Sequence, residues 1–299
     1  MNLTDRNKGY IFAFIAVLAT SNVFVFSKAA LLSTRLEVFG FYWFLFGLVW
    51  NLIFANITGK IKLINKLKKR QLLVLGTLGF LEISGTTCFF LAISTVPNPA
   101  IVSFLTNINP IVVTILGFFI LKERYNRTEV FGIFLVILGA FTISFNGGES
   151  LQEFFIDGSE FVLLSALFYG ISAIVTKKHV KVIGPSILAL NRNSFLFVFS
   201  FLMLMVNQRG GLVESNALIN ILIGSILGPF LTVVSGYQAF KYLEVSRVSI
   251  LGSTKGLFVL IGSYIYLGQF PLIYQIVGGL VSILGVVFIS LGKLKLKKK

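Results

Sequence analysis

Apolar residues in this chain neither alternate nor recur as narrow stripes. They run in blocks of about twenty, separated by short polar turns. Ten blocks can be read, at 9–32, 38–57, 71–93, 99–121, 128–146, 159–177, 186–206, 216–239, 247–267 and 272–292. A helix of about 20 residues matches the roughly 30 Å hydrocarbon layer of a bilayer, so each block predicts a transmembrane helix. The runs lack the two-residue alternation of barrel strands, which excludes a transmembrane barrel. The predicted fold class is an all-α membrane protein with ten transmembrane helices. The first block carries no small-residue cleavage site and predicts a retained helix, not a removed signal peptide.

Composition agrees with the pattern. Of 299 residues, 56% are hydrophobic and 12% charged, about half the charge of an ordinary soluble domain. The mean hydropathy is +0.91. Thirty-two phenylalanines exceed what a water-soluble core of this length can cover, so lipid is the expected solvent.

The net charge of +15 matters through its distribution. With ten spans and a cytoplasmic N-terminus, 21 of the 26 Lys and Arg residues fall on the cytoplasmic side. They include the run at 60–70, the groups at 122–127 and 177–181, and the C-terminal tail. The opposite side holds Arg35, Arg209 and an acidic loop with Glu149, Glu153, Asp157 and Glu160. This asymmetry predicts a bacterial-type inner membrane protein with both termini cytoplasmic. The basic runs contain no interleaved aromatics of the kind that stack on bases, so no nucleic-acid partner is expected.

Enzyme chemistry finds little material. Cys88 is the only cysteine and His179 the only histidine, so neither a metal-ligand cluster nor a Ser/His/Asp grouping can be assembled. No glycine-rich loop ends in Gly-Lys-Ser/Thr. The expectation is a protein without enzymatic activity, cofactor or metal.

The chain also repeats itself. Residues 20–28, TSNVFVFSK, lie over 169–177, YGISAIVTK, matching Ser27-Lys28 with Thr176-Lys177. Residues 118–121, FFIL, lie over 264–267, YIYL, and Phe131-Gly132 falls on Val277-Gly278. The repeat divides the chain into a five-helix half at 1–146, an outside linker at 147–158, and a five-helix half with a basic tail at 159–299. Five is odd, so the two halves would insert with opposite orientation. Inverted repeats are the architecture of alternating access, with a substrate site between the halves near the midplane.

These features resemble a known family. The 5+5 arrangement, the Ser27-Lys28 and Thr176-Lys177 pairs, and AISTVPNPAIVSFLTNINP (92–110) followed by FFILKER (118–124) are similar to the EamA type of the drug/metabolite transporter superfamily. In that resemblance Asn109-Pro110 occupies a Glu-Pro place and Leu121-Lys122-Glu123 the close of the motif. The matching place in the second half holds Lys255-Gly256, a base where the family usually carries an acid, and Gln269 stands at the closing position. The resemblance implies a transporter, with export as the direction and with the fifth and tenth helices peripheral.

Candidate site residues follow from charge and polarity within the spans. Lys255 lies in the middle of the ninth block, too deep to reach water easily. Its open roles are a cationic contact for an anionic substrate group, a lysine that gives up a proton during the cycle, or a permanent pair with Glu82. Glu82, midway along the third block, could carry a coupling proton or stay neutral and hydrogen-bonded. Arg192 could neutralise a substrate at an inner gate or anchor its helix, and Lys28 and Lys177 sit where anchors or gates would. Pro110 breaks the fourth helix beside Asn107 and Asn109, as Gly252, Ser253 and Thr254 break the ninth. Asn22, Ser84, Thr87, Tyr237 and Gln238 add polar groups.

The function expected is a secondary transporter for a small metabolite bearing an anionic group, such as an amino acid. Its partners would be the bilayer, the solute and a proton or other coupling ion. A carrier of cationic or hydrophobic drugs, and a non-transporting scaffold or partner subunit, are the alternatives.

Overall fold

The computed structural model describes residues 5–112, 115–116, 126–145, 155–207 and 213–296. Several sequence features lie outside the described residues: FFILKER at 118–124, most of the expected linker with Glu149 and Glu153, Arg209 and the last three lysines. The chain is helical almost throughout. Its elements are α1 (Asp5–Leu31), α2 (Leu36–Ile57), α3 (Lys69–Thr95), α4 (Pro99–Leu105), α5 (Arg127–Ser144), α6 (Ser159–Ile183), α7 (Pro185–Val206), α8 (Ser215–Tyr242), α9 (Val245–Ser253 and Lys255–Leu267, joined at Thr254) and α10 (Ile273–Leu296). Among the described residues, α1, α2, α3, α5, α6, α7 and α8 are the seven helices long and apolar enough to cross a membrane. The apolar helices Pro99–Val112, Leu251–Leu267 and Ile273–Ile289 are shorter.

Local sequence explains where the helices begin and end. The Asn98 side chain accepts from the Ala100 N–H, with Pro99 at the first helical position, and together they start α4. Asn126 and Glu129 cap α5 reciprocally, each side chain accepting from the other's backbone N–H. Gly184 alone separates α6 from α7, at φ 93 and ψ 143, a conformation closed to other residue types.

The two halves interdigitate helix by helix. α1 packs on α8, α2 on α7, α3 on α6, α4 on α9 and α5 on α10. The α5–α10 contact is a backbone approach. A Cβ on Gly132 would lie 2.6 Å from the Gly285 carbonyl oxygen, and one on Gly139 would lie 2.5 Å from that of Gly278. Small residues of this kind let helices associate in lipid, where no hydrophobic force drives them together.

One lysine ties each half internally. The Lys28 ammonium on α1 donates to the carbonyls of Ile93, Ser94 and Val96 at 3.0, 3.2 and 2.7 Å, at the end of α3. Lys177 on α6 donates to Phe240 and Leu243, both at 2.6 Å, at the end of α8. The last carbonyls of a helix have no partner of their own and mark its negative pole, so a buried cation there is satisfied twice over. These side chains are structural ties.

The outward face is apolar to a degree only lipid tolerates. Ile265 is 76% exposed and Ile273 80%. The interior core surrounds Phe24, Phe39, Trp43, Phe90 and Phe104. The Phe24 and Phe89 rings meet edge-on at 5.0 Å, and the Phe39 and Phe90 rings at 4.9 Å.

Gly139→Val should push α5 off α10 and cost about 1–3 kcal/mol by overpacking. Gly76→Ala, where a Cβ meets nothing within 4 Å, should be neutral or stabilising. Thermal unfolding of the detergent-solubilised protein compares the two, and equal melting temperatures would contradict the close approach.

Candidate functional site

Three helices lose regularity around the same space. α4 tightens into a 3-10 turn at Thr106–Ile108, just before Pro110. α8 widens over Ile226–Thr232, around Pro229. α9 breaks at Thr254. Proline has no N–H, and wide turns of this kind recur at functional sites. The Pro229 carbonyl is held by the side-chain amides of Asn51 on α2 at 3.0 Å and Asn193 on α7 at 2.7 Å. A distorted backbone inside a membrane is tolerated where such partners exist.

The breaks enclose two adjoining cavities of about 360 and 280 Å³. Both are walled by Glu82, Thr106, Asn109, Tyr169, Tyr237, Phe240, Gly252 and Lys255. The larger adds an aromatic wall of Phe24, Trp43, Phe44, Phe89 and Phe90. The smaller adds Asn107, Pro110, Ser172, Thr176 and Ser253. Among the described residues, segments of α1, α2, α3, α4, α6, α7, α8 and α9 contribute, and α5 and α10 do not. A Cβ at Gly236 or Gly252 would meet nothing within 4 Å, so these glycines border open space.

One polar network crosses the site. Glu82 on α3 accepts from Arg192 Nε on α7 at 2.7 Å and from Ser172 Oγ on α6 at 2.6 Å. Arg192 Nη2 donates to Thr86 Oγ1 at 3.1 Å, and Thr86 is bonded to the Tyr169 hydroxyl at 2.9 Å. Each Glu82 oxygen therefore has a partner, and the pair is nearly buried, with 13% and 7% of the two side chains exposed. Lys255 takes no part in it. Its ammonium donates to the Gly252 carbonyl at 3.3 Å, and among the described residues it makes no ion pair.

The profile of the EamA-like transporter family matches residues 7–145 and 158–291. The chain belongs to this family. An uncharacterised transporter of Archaeoglobus fulgidus is 20% identical over 188 residues, 63% of this chain and 59% of that protein. The match thus spans less than two thirds of the relative's length. A crystal structure of another protein superposes with a TM-score of 0.72 at 13% identity, over 96% of this chain and 97% of the other, a likeness of fold. Two EamA-like repeats and seven long apolar helices among the described residues make this an integral membrane protein of that family.

Against this geometry the residues singled out from sequence divide clearly. Lys255, Glu82, Asn109 and Tyr237 wall both cavities, Asn107, Ser253 and Pro110 wall the smaller one, and Arg192 the larger. The pairing of Lys255 with Glu82 is not formed, because Arg192 already holds the carboxylate. Arg192 is no lipid-facing anchor. Lys28 is bound at a helix end, away from the cavities. Asn22 is exposed and donates to Leu18 of its own helix, and Ser84, Thr87, Thr254 and Gln238 do not line either space.

Sequence reading missed Thr86, Tyr169 and Ser172. Thr86 sits four residues after Glu82, on the same helix face. Tyr169 and Ser172 lie inside the repeated YGISAIVTK stretch, a signal that was available.

Arg192→Met should leave Glu82 a lone buried charge and destabilise the protein by about 3–5 kcal/mol. The double variant Glu82→Met/Arg192→Met should cost clearly less than the two single changes added together. Denaturant unfolding in detergent measures the cycle, and simple additivity would rule out the coupling.

Proposed function

We propose that this protein is a secondary carrier that moves a small organic solute with an anionic group at one end and an apolar body at the other. The observation that carries the reading is the Lys255 ammonium on the wall of both cavities, with no ion-pair partner among the described residues, since Arg192 holds Glu82. A carboxylate on the solute would complete this charge, and charge-assisted hydrogen bonds are the strong ones. The aromatic wall of Phe24, Trp43, Phe44, Phe89 and Phe90 would receive the apolar body. A cationic drug would meet like charge at Lys255.

The mechanism is alternating access between two inverted five-helix halves, ten spans in all. The reciprocal packing of the halves supports it, as do the lysine ties. Lys28 and Lys177 fall on matching repeat positions, and each binds the end of the third helix of its own half. Both termini lie on the cytoplasmic side of an inner membrane, following the basic-residue asymmetry, and the direction is export, as the family resemblance implies.

Uptake of labelled solute into proteoliposomes preloaded with the same unlabelled solute tests the substrate class, using L-phenylalanine, L-leucine, malate and tetraphenylphosphonium as probes. An amphipathic carboxylate should be carried, and Lys255→Met should slow it at least about tenfold, with Lys255→Arg retaining part of the rate. Transport of tetraphenylphosphonium with no carboxylate moved, or full carboxylate transport by Lys255→Met, would refute the reading.

A further inference from the structure

We propose that Lys255 makes this carrier an obligate exchanger. The empty protein stays in one open state, and it crosses to the other only with a solute's anionic group seated on the ammonium. The inference rests on the carrier reading above and adds its mode of transport.

The argument starts from the charges that face the two cavities. Among the described residues they are Glu82 from α3, Arg192 from α7 and Lys255 from α9, and the tyrosines Tyr169 from α6 and Tyr237 from α8 add neutral hydroxyls. Glu82 and Arg192 cancel each other at 2.7 Å, and the second Glu82 oxygen is taken by Ser172. Among the described residues the walls therefore carry one uncompensated positive charge. Neutral acceptors are present, such as the buried Asn109 Oδ1, which has no hydrogen-bond partner among the described residues, but they bring no counter-charge.

While the cavity is open to one side, water solvates the ammonium. Alternating access requires a state closed to both sides, and closing it removes that water. What remains for Lys255 is the Gly252 carbonyl at 3.3 Å, a long contact within its own helix. Stripping water from an ion without supplying a counter-ion is costly, enough to slow the empty transition by roughly a hundredfold or more. A carboxylate that enters with the solute supplies the missing charge and carries the protein through the closed state. Each crossing then needs a solute in either direction, and net export of one solute is driven by inward movement of another.

The test needs no solute. Cys88 is the only cysteine, and Gly236 lines the larger cavity with open space where its Cβ would be. The protein carrying Cys88→Ser and Gly236→Cys thus has a single reporter thiol. Its labelling by a membrane-impermeant maleimide is followed in right-side-out and inside-out vesicles. With Lys255 in place, one face should label at least about tenfold faster than the other. Adding Lys255→Met should raise the slow-face rate at least about tenfold, and Lys255→Arg should leave it slow. Lys255→Gln replaces the methionine variant if that one aggregates. Equal labelling from both faces with Lys255 present, or an unchanged ratio in the neutral variants, would overturn the proposal. Failure of every probe solute to be transported would defeat the substrate reading and leave the labelling ratio as a separate result.

Discussion

The ion pair between Glu82 and Arg192 sets the terms for the rest of the cavity. A carboxylate and a guanidinium buried in a membrane protein are costly unless each meets the other and their remaining atoms are bonded. Here both conditions hold, through Ser172 on one side and Thr86 with Tyr169 on the other. The pair joins α3 to α7 and therefore links the two repeats. It also withdraws the carboxylate that Lys255 would otherwise use, so the electrostatics of the cavity follow from this one contact.

Backbone satisfaction is the second constraint. α4, α8 and α9 all depart from regular helix beside the cavities, and each departure sits where partners exist. The Pro229 carbonyl takes two asparagine amides. The Thr254 hydroxyl turns back to the Leu251 carbonyl. Asn107 reaches Ser282 on α10 at 3.0 Å and ties α4 to the outer helix pair. The irregular turns of α4 and α8 are thus held from helices distant in sequence, and that of α9 from within its own helix. Meanwhile α5 and α10 lock together through glycines and leave the cavity to the other helices.

Much of this was legible in the chain. Among the described residues the apolar blocks gave helices at nearly the observed positions. Lys255 and Glu82 stood out as charges within apolar runs, and Asn107, Asn109 and Pro110 as a polar break. The assignment of partners was not legible. Lys28, Lys177, Arg192 and Lys255 are all cations in apolar blocks, and nothing local separates them. Two prove to be helix-end ties, one a member of an ion pair, and one a lone charge on a cavity wall. Asn22 reads as cavity-lining by composition, yet its position on α1 turns it outward.

What the sequence alone determined was what the solvent demands: long apolar runs, sparse charge, helices as the way to satisfy the backbone in lipid, and a duplication that implies two related halves. Those properties are one-dimensional, since hydropathy and repeat spacing survive in the order of residues. Only the tertiary structure decided which charge meets which. Glu82 and Arg192 are 110 positions apart, and Lys255 lies 173 positions beyond Glu82. Their pairing depends on α3, α6 and α7 converging in space. That convergence leaves Lys255 without a counter-ion among the described residues.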